Sequence, residues 1–148
     1  MRELVFALEF RGKAMAVPDT DGRRQARTTA SSVTLSTRLT ADGVHAHVEA
    51  GAGETAVLEA RVQRFGDGTF VEEGTICYGT AGAITFETIG RGWVGAGPVA
   101  GSSAGGVLWK ITLGDGRFAN ASGLITSNFT VSPDGDVVDD HFVRMYLP

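Results

Sequence analysis

The chain has 148 residues, with 17 acidic against 13 basic side chains and a formal net charge of −4. This length predicts one domain spanning residues 1–148. The composition, 43% hydrophobic and 20% charged, is that of a folded globular protein and argues against a disordered chain. Because no basic stripe is present, we expect no nucleic-acid partner.

The location of the protein is predicted from its N-terminal residues and its single cysteine. The first ten residues carry Glu3 and Glu9 and lack the long apolar stretch of a signal peptide. Cys77 has no second cysteine to pair with, which fits a reducing compartment. The longest uncharged run, residues 92–109, is interrupted by glycines and a proline, unlike a membrane span. We therefore predict a cytoplasmic protein with no membrane contact.

The first strand is predicted from a regular period of two. Along residues 3–14, every second side chain is apolar and points to one face: Leu4, Phe6, Leu8 and Phe10. Residues 17–29 follow, with a proline, an Asp-Gly pair and a cluster of three arginines. We expect this segment to be a long solvated loop that is able to act as a lid.

Two hairpins come next. The first, over residues 31–50, turns at an Asp-Gly pair and has these residues on its apolar side: Val33, Leu35, Thr37, Val44, Ala46 and Val48. The second, over residues 55–79, turns at residues 66–68. We expect both hairpins to contribute strands to one sheet.

The second half of the chain continues the same pattern. Strands are predicted over residues 82–90 and 106–113, with the Gly-rich residues 90–106 between them as a loop. The last two strands, residues 123–132 and 136–148, flank a Pro-Asp-Gly turn. The total is eight or nine strands with no helical period. The sequence therefore predicts an all-β fold, an antiparallel eight- to nine-stranded β-barrel, since closure leaves no free sheet edge.

Three motifs suggest binding sites and are interpreted as structural. His45 and His47 share one face of a strand, as metal ligands would, but the opposite face is the apolar one. We expect both histidines to point to solvent, and we predict no metal and no cofactor. Residues 133–141 carry four aspartates without the spacing of a calcium loop, so we predict a turn and an exposed strand start. Residues 95–106 lack the Gly-Lys-Ser/Thr ending of a phosphate loop.

Candidate site residues are polar side chains that share a face with apolar ones. On residues 69–79, Glu72 lies on the face of Phe70 and Tyr78, and a buried carboxyl group is either paired or functional. We predict three catalytic residues: Glu72, Tyr78 and His141. The predicted ligand-binding lining consists of Phe70, Trp109, Ser127, Phe129 and Met145.

Two alternatives to this site remain open. In the first, the barrel is an ordinary filled core and Glu72 pairs with an arginine such as Arg144. In the second, the strand register is shifted by one residue, which exchanges the two faces of each strand. The inward polar residues would then be Glu73, Cys77, Glu87 and Asn128.

Residues 113–129 form a glycine-rich corner between two strands. Gly114 and Gly116 permit positive φ at the turn, and Phe118 can fold back as an apolar plug. Together with Ala121 and Gly123, they match the Gly-Gly-Thr-Gly-x-Phe corner and following residues of a known family. Over its final third the chain resembles the allene oxide cyclase–dirigent barrel superfamily, in particular its small uncharacterised bacterial members. Leu113 and Asp115 stand where the family corner has a glycine and a threonine.

The resemblance implies a barrel that binds a small molecule. In allene oxide cyclase, a first-strand glutamate and several asparagines hold a water that orients the substrate epoxide. The comparable acid here is Glu9, which we expect to point outward, and the asparagines have no counterpart.

The function predicted is a cofactor-free cyclase or isomerase that holds an apolar substrate in the barrel cavity. Glu72 or His141 would act as acid or base, and Tyr78 would donate a hydrogen bond. The alternative is a non-catalytic barrel that carries a ligand or assembles into a dimer or trimer.

Overall fold

The computed structural model describes residues 1–32 and 35–148, so Val33 lies outside the described residues. Two three-residue 3₁₀ helices, Gly79–Ala81 and Gly116–Phe118, accompany the strands. The strands are β1 Arg2–Ala16, β2 Arg23–Ala30, β3 Leu35–Thr40, β4 Gly43–Val48, β5 Ala56–Arg64, β6 Thr69–Tyr78, β7 Ala83–Thr88, β8 Gly92–Ala96, β9 Ser103–Gly114, β10 Ser122–Val131 and β11 Asp136–Leu147. Within the described ranges, no helix is long and apolar enough to cross a membrane.

Eight of these strands close into an antiparallel barrel. Their order around the wall is β1-β2-β5-β6-β7-β9-β10-β11, and β11 pairs with β1 from Arg2–Leu147 to Lys13–Asp136. The predicted all-β barrel of eight to nine strands is confirmed. Closure pairs the first strand with the last, so that neither presents a free edge at this point.

The ninth strand of the sheet, β8, extends the barrel wall beyond β7. Both β7 and β8 are antiparallel to β6 and to β9, so they run in the same direction between the same two neighbours. β7 pairs with β6 up to Glu73, and β8 resumes the pairing at Phe70. The wall is therefore interrupted beside Glu72.

The prediction of a long loop over residues 17–29 is wrong. Only residues 17–22 form the turn, and β2 pairs with β1 on one side and β5 on the other. Its inward side chains are short or charged: Arg24, Ala26, Thr28 and Ala30. Small and polar inward residues carry little hydrophobic contrast, which is why the period of two is hard to see in this strand.

The first hairpin, β3 and β4, forms as predicted but lies outside the barrel. Its strands pair with each other in a separate two-stranded sheet. The expectation that its apolar side is buried is wrong, since Leu39, Val44 and Val48 are 76%, 68% and 46% exposed. A two-stranded sheet has no second layer of its own to cover such a face.

The Gly-rich residues 90–106 are not the single loop that we predicted. They contain β8 and the beginning of β9, and only residues 97–102 connect the two strands. Gly105 lies where β8 and β9 pair, and a Cβ there would be 2.2 Å from the carbonyl oxygen of Trp93. The glycine thus permits close strand contact in this part of the wall.

The corner between β9 and β10 closes one end of the barrel. Phe118 is buried and packs edge-on against Tyr78, with ring centroids 5.4 Å apart, as expected of a plug. Gly116 has the predicted positive φ, of 55°. Gly114 does not have the predicted positive φ. A glycine is needed at this position for another reason, because a Cβ there would be 2.0 Å from the carbonyl oxygen of Phe118.

Side chains fill the centre of the barrel. The largest fully buried residues are Trp109, Phe10, Phe86, Leu58, Ile76, Ile84, Ile125, Met145, His141 and Val143. The predicted faces of β6, β9, β10 and β11 are all observed, so the alternative register is wrong: Glu73, Cys77, Glu87 and Asn128 are exposed. Space for a ligand must therefore be sought at the barrel ends.

Candidate functional site

One end of the barrel, where β5 ends and β6 begins, holds a cavity of about 60 Å³. Phe70 and Phe129 supply apolar lining and meet edge-on, with centroids 5.7 Å apart. The polar side chains that line the cavity are Arg24, Thr28, Arg64, Glu72 and Asp139. An apolar space with a few convergent polar groups is typical of small-molecule sites.

The floor of the cavity is a buried hydrogen-bonded group centred on Asp139. Ser127 Oγ donates to Asp139 Oδ1 over 2.7 Å, and His141 Nε2 lies 2.9 Å from Asp139 Oδ2. These residues alternate inward on β10 and β11, which brings them together. Both carboxylate oxygens of Asp139 are thus occupied by partners that fix its orientation.

Aromatic rings hold His141 in place. Its imidazole stacks on Phe10 at 4.5 Å and meets Trp109 edge-on at 5.0 Å. Nδ1 of His141 and Nε1 of Trp109 are buried without a hydrogen-bond partner among the described residues. His141 does not line the cavity itself and is connected to it through its contact with Asp139.

Glu72 is the acid that faces the cavity without a partner. Its carboxylate makes no hydrogen bond or ion pair with the part of the chain that the structure describes. Burial, reinforced by the charge of Asp139, raises the pKa of Glu72 well above its ordinary value. The site therefore contains two carboxyl groups in different environments, one alone and one hydrogen-bonded.

The backbone of Glu72 is held by Thr88. Thr88 Oγ1 accepts from Glu72 N over 2.7 Å and donates to Glu72 O over 2.8 Å. Both bonds replace strand pairing at the interruption between β7 and β8. A side chain of β7 thus fixes the position of Glu72 in the wall.

The alternative pairing of Glu72 with Arg144 is wrong. Arg144 lies on the outer face of β11 and pairs with Glu3 of β1. The arginines that line the cavity with Glu72 are Arg24 and Arg64, and neither lies within 4.0 Å of an acidic oxygen of the described residues. The prediction that Arg24 belongs to a solvated loop is also wrong.

The structure brings most of the predicted site residues together, but not all. Glu72, Phe70 and Phe129 line the cavity, while Ser127, His141 and Trp109 form the group below it. Met145 is fully buried in the core and does not line the cavity.

Tyr78 lies at the opposite end of the barrel. It is six residues from Glu72 along β6, a distance of about 20 Å. It packs between Phe6 and Phe118, and its buried hydroxyl has no hydrogen-bond partner among the described residues. Burial raises its pKa. The three predicted catalytic residues therefore do not form one site.

Four polar residues that line the cavity were not among the site residues predicted from the sequence. The predicted turn and exposed strand start are observed at Asp134 and Asp136, but Asp139, three residues into β11, is only 8% exposed. Its inward position follows from His141 two residues later, a signal available in the sequence. Arg24 and Thr28 fall in the segment predicted to be a loop, and Arg64 is the last residue of β5, next to the turn.

Glu9 lies on the outer face, as expected. It forms an ion pair with Arg11 and is the strand partner of Asp140. Burial and a hydrogen bond with Glu9 raise the pKa of Asp140 to about 6. This outer carboxyl pair is separate from the cavity.

The two histidines of β4 are exposed. His45 Nε2 lies 3.0 Å from Thr40 Oγ1, and His47 Nε2 lies 2.5 Å from Glu49 Oε1. Across residues 1–32 and 35–148, no group of three or more His, Cys, Asp or Glu side chains is arranged to hold a metal ion.

No protein-family model, no curated protein and no solved structure matches this chain.

Proposed function

We propose that the protein is an isomerase or cyclase that works without a cofactor on a small, largely apolar substrate. The observation that carries this proposal is the pair of carboxyl groups, Glu72 and Asp139, on one cavity. Two acids whose environments differ can divide the roles of proton donor and proton acceptor. A proton transfer between two atoms of one substrate needs these two roles.

Each acid has a distinct place in the proposed reaction. The raised pKa of Glu72 favours its protonated form, which can donate a proton to the substrate. Asp139 accepts a proton from the substrate, while Ser127 and His141 keep its oxygens oriented. Ser127 and His141 are thus positioning residues, and Tyr78 has no role because it lies at the other barrel end.

The volume of the cavity limits the substrate. At about 60 Å³ it is smaller than the roughly 150 Å³ engineered cavity that binds benzene. The space encloses the reacting part of a small molecule, and the remainder extends toward the open end between Arg24 and Arg64. This supports a substrate that enters from the end of the barrel.

We also propose membership of the allene oxide cyclase–dirigent barrel superfamily. The closed barrel and the Gly116–Phe118 corner support it at the level of architecture. The outward position of Glu9 argues for a reaction that differs from allene oxide cyclisation. Cys77 is an exposed free thiol, which fits the cytoplasmic location that we propose.

The experiment that tests the function has two stages. Native mass spectrometry of protein purified without added ligand, followed by denaturation, identifies any small molecule that is carried along. The identified molecule is then incubated with the protein in D₂O, and deuterium incorporation is followed by NMR. We expect Glu72→Gln and Asp139→Asn each to slow incorporation by about 100-fold or more, whereas Glu73→Gln, an exposed neighbour, keeps the wild-type rate. Equal incorporation by all variants would contradict the proposal.

A second candidate function is assembly, and the exposed hairpin favours it. Leu39 and Val44 are strand partners on one face of β3–β4 and are among the most exposed large apolar side chains. An exposed apolar face of this kind is typical of an interaction surface. We expect Leu39→Ser/Val44→Ser to lower the molar mass measured by light scattering if the hairpin mediates a dimer or trimer. His45→Ser on the other hairpin face serves as the control.

A further inference from the structure

Two arginines face the cavity from neighbouring strands. Arg24 on β2 is the strand partner of Val62 on β5, and Arg64 follows Val62 on the same face. Such diagonal neighbours lie about 7–8 Å apart, within reach of long side chains. The two guanidinium groups therefore converge on one end of the cavity.

Neither arginine is neutralised by an acid of residues 1–32 or 35–148. Arg24 Nη2 contacts the carbonyl oxygen of Ala14 at 3.4 Å, and no ion pair of Arg24 or Arg64 is formed with the described residues. Burial and the charge of Arg24 lower the pKa of Arg64, as expected of two cations placed together. Several other arginines have acidic partners among the described residues, for example Arg61 with Glu73 at 3.0 Å.

A buried hydroxyl group deeper in the same cavity points to a polar ligand there. Thr28 is 2% exposed, lines the cavity, and its Oγ1 has no hydrogen-bond partner among the described residues. An unpaired buried hydroxyl is costly unless something in the cavity bonds to it. Thr28 is therefore a third group able to contact a polar substituent.

The balance of charge around the cavity is positive. Two arginines face two acids, but the raised pKa of Glu72 favours its neutral form, so that the two positive charges are opposed by one acid, Asp139. A net positive charge is thus left for a ligand. A guanidinium group binds carboxylate and phosphate oxygens through two parallel hydrogen bonds.

We propose that Arg24 and Arg64 bind the anionic group of the substrate, which is a small organic acid with an apolar body. This inference rests on the proposed function and adds the substrate class to it. The anionic group lies at the mouth of the cavity, the apolar body contacts Phe70 and Phe129, and Thr28 is left for a polar substituent deeper in the cavity. The acid group then directs the reacting atoms toward Glu72 and Asp139.

The test compares acids with their neutral analogues. Butyrate, benzoate and phenyl phosphate, with butyramide and benzamide as neutral partners, are titrated into ¹⁵N-labelled protein and followed by NMR. We expect saturable shifts around the cavity with at least one of the acids, and binding about tenfold weaker or worse for its amide. Phenyl phosphate distinguishes a phosphate-bearing from a carboxylate-bearing substrate.

Matched variants assign the effect to the two arginines. Arg24→Gln and Arg64→Gln should each weaken acid binding by about tenfold or more, because each removes a charged hydrogen-bond donor. Arg61→Gln, on the outer face of the same strand, should leave binding unchanged. The overlap of variant and wild-type spectra away from the cavity shows that the fold is retained.

Two results would overturn the inference, and they differ in what they say about the function. Amides that bind as tightly as the acids, or an equal loss in Arg61→Gln, would remove the anion site and leave the acid–base proposal standing. No saturable shift at the cavity with any compound would contradict the anion site, and substrate binding at this end of the barrel with it.

Discussion

Glu72 links the chemistry of the site to the stability of the fold. Its pKa in the folded protein is raised above the ordinary value of 4.5, so the folded state holds this proton more tightly than the unfolded state does. The resulting stability is present below about pH 4.5 and is lost as pH rises through the raised pKa. Glu72→Gln keeps the shape and cannot ionise. We expect it to raise the Tm by several degrees at about pH 8–9, with the gain disappearing toward pH 5, in thermal unfolding followed by circular dichroism.

Glu73→Gln is the matched control for this prediction. Glu73 is the next residue on β6, is exposed, and pairs with Arg61. Loss of an exposed ion pair costs up to about 1 kcal/mol and gives no gain at alkaline pH. A Glu72→Gln variant that is less stable than wild type at alkaline pH would show that the carboxylate is compensated in the folded protein.

Asp140 gives a second pH-dependent prediction, on the outer face. Its pKa is raised to about 6, first by burial and then by the hydrogen bond with Glu9. As for Glu72, a raised pKa means that the folded state holds the proton more tightly than the unfolded state does. The resulting stabilisation is present below about pH 4 and is lost as pH rises past 6. We expect Asp140→Asn to raise the Tm at pH 8 but not at pH 4. The effect should be smaller than for Glu72, because Asp140 is more exposed.

Asp136→Asn should behave in the opposite way. A hydrogen bond with Lys13 is the main reason that the pKa of Asp136 is lowered, so its stabilisation is present above the ordinary pKa and is lost in acid. This variant should therefore be less stable than wild type at pH 8 and equal to it in strong acid. The same sign for both aspartates would contradict the assignment of Asp140.

At the scale of single elements, the interruption between β7 and β8 depends on one hydroxyl group. Thr88 Oγ1 bonds to both the N–H and the carbonyl of Glu72. Thr88→Val keeps the shape and leaves both backbone groups unpaired. We expect a loss of about 1–3 kcal/mol in the free energy of unfolding, measured with urea.

Thr75→Val is the control, because Thr75 is exposed on β6, the strand of Glu72, and its side chain makes no hydrogen bond to the described residues. Its free energy of unfolding should change by no more than about 0.5 kcal/mol. Equal effects of the two substitutions would mean that Thr88 does not hold the wall.

How far the sequence predicts these elements depends on the hydrophobic contrast of each strand. β1 and β9 alternate large apolar with polar side chains, and their inward faces are predicted correctly. β2 alternates alanine and threonine with arginine, and β8 is rich in glycine, so neither has a clear period. The interruption of the barrel wall beside Glu72 depends on how strands distant in the sequence pair with each other. No local sequence pattern predicts that pairing.

The candidate site is predicted in part for the same reason. A period of two assigns Glu72 and His141 to the inward face, but it does not tell which barrel end each residue reaches. The pattern therefore predicts that Tyr78 and Glu72 belong to one site, although about 20 Å of strand separates them. Arg24 and Arg64 line one cavity because β2 pairs with β5. The separate hairpin, β3–β4, lies between these two strands in the sequence, so no local pattern predicts their pairing.

At the scale of the whole molecule, closure places the two ends of the chain side by side. Arg2 is the strand partner of Leu147, so a short Gly-Ser linker can join Pro148 to Met1, with new ends opened at Asp67 in the exposed β5–β6 turn. Every strand pair of the barrel is kept in this circular permutant. The β1–β11 pairing, which has twelve residue pairs, becomes a local hairpin. The β5–β6 pairing, which has nine, takes its place as the pairing that joins the two ends, so fewer residue pairs are distant along the chain.

This change of connectivity predicts faster folding. Pairing that joins distant segments must first close a long loop, and folding rates fall as contacts become less local. The permutant should therefore refold faster than wild type, when refolding is followed by the fluorescence of the buried Trp109. It should also unfold faster, because the hydrogen bonds of Asp67 with Thr69 are lost at the opened turn.

A permutant opened at Asp134, with the same linker, separates the change in refolding rate from the change in unfolding rate. It should also refold faster than wild type, but it keeps the β5–β6 turn. Unchanged refolding rates in both permutants would show that β1–β11 pairing forms after the rate-limiting step.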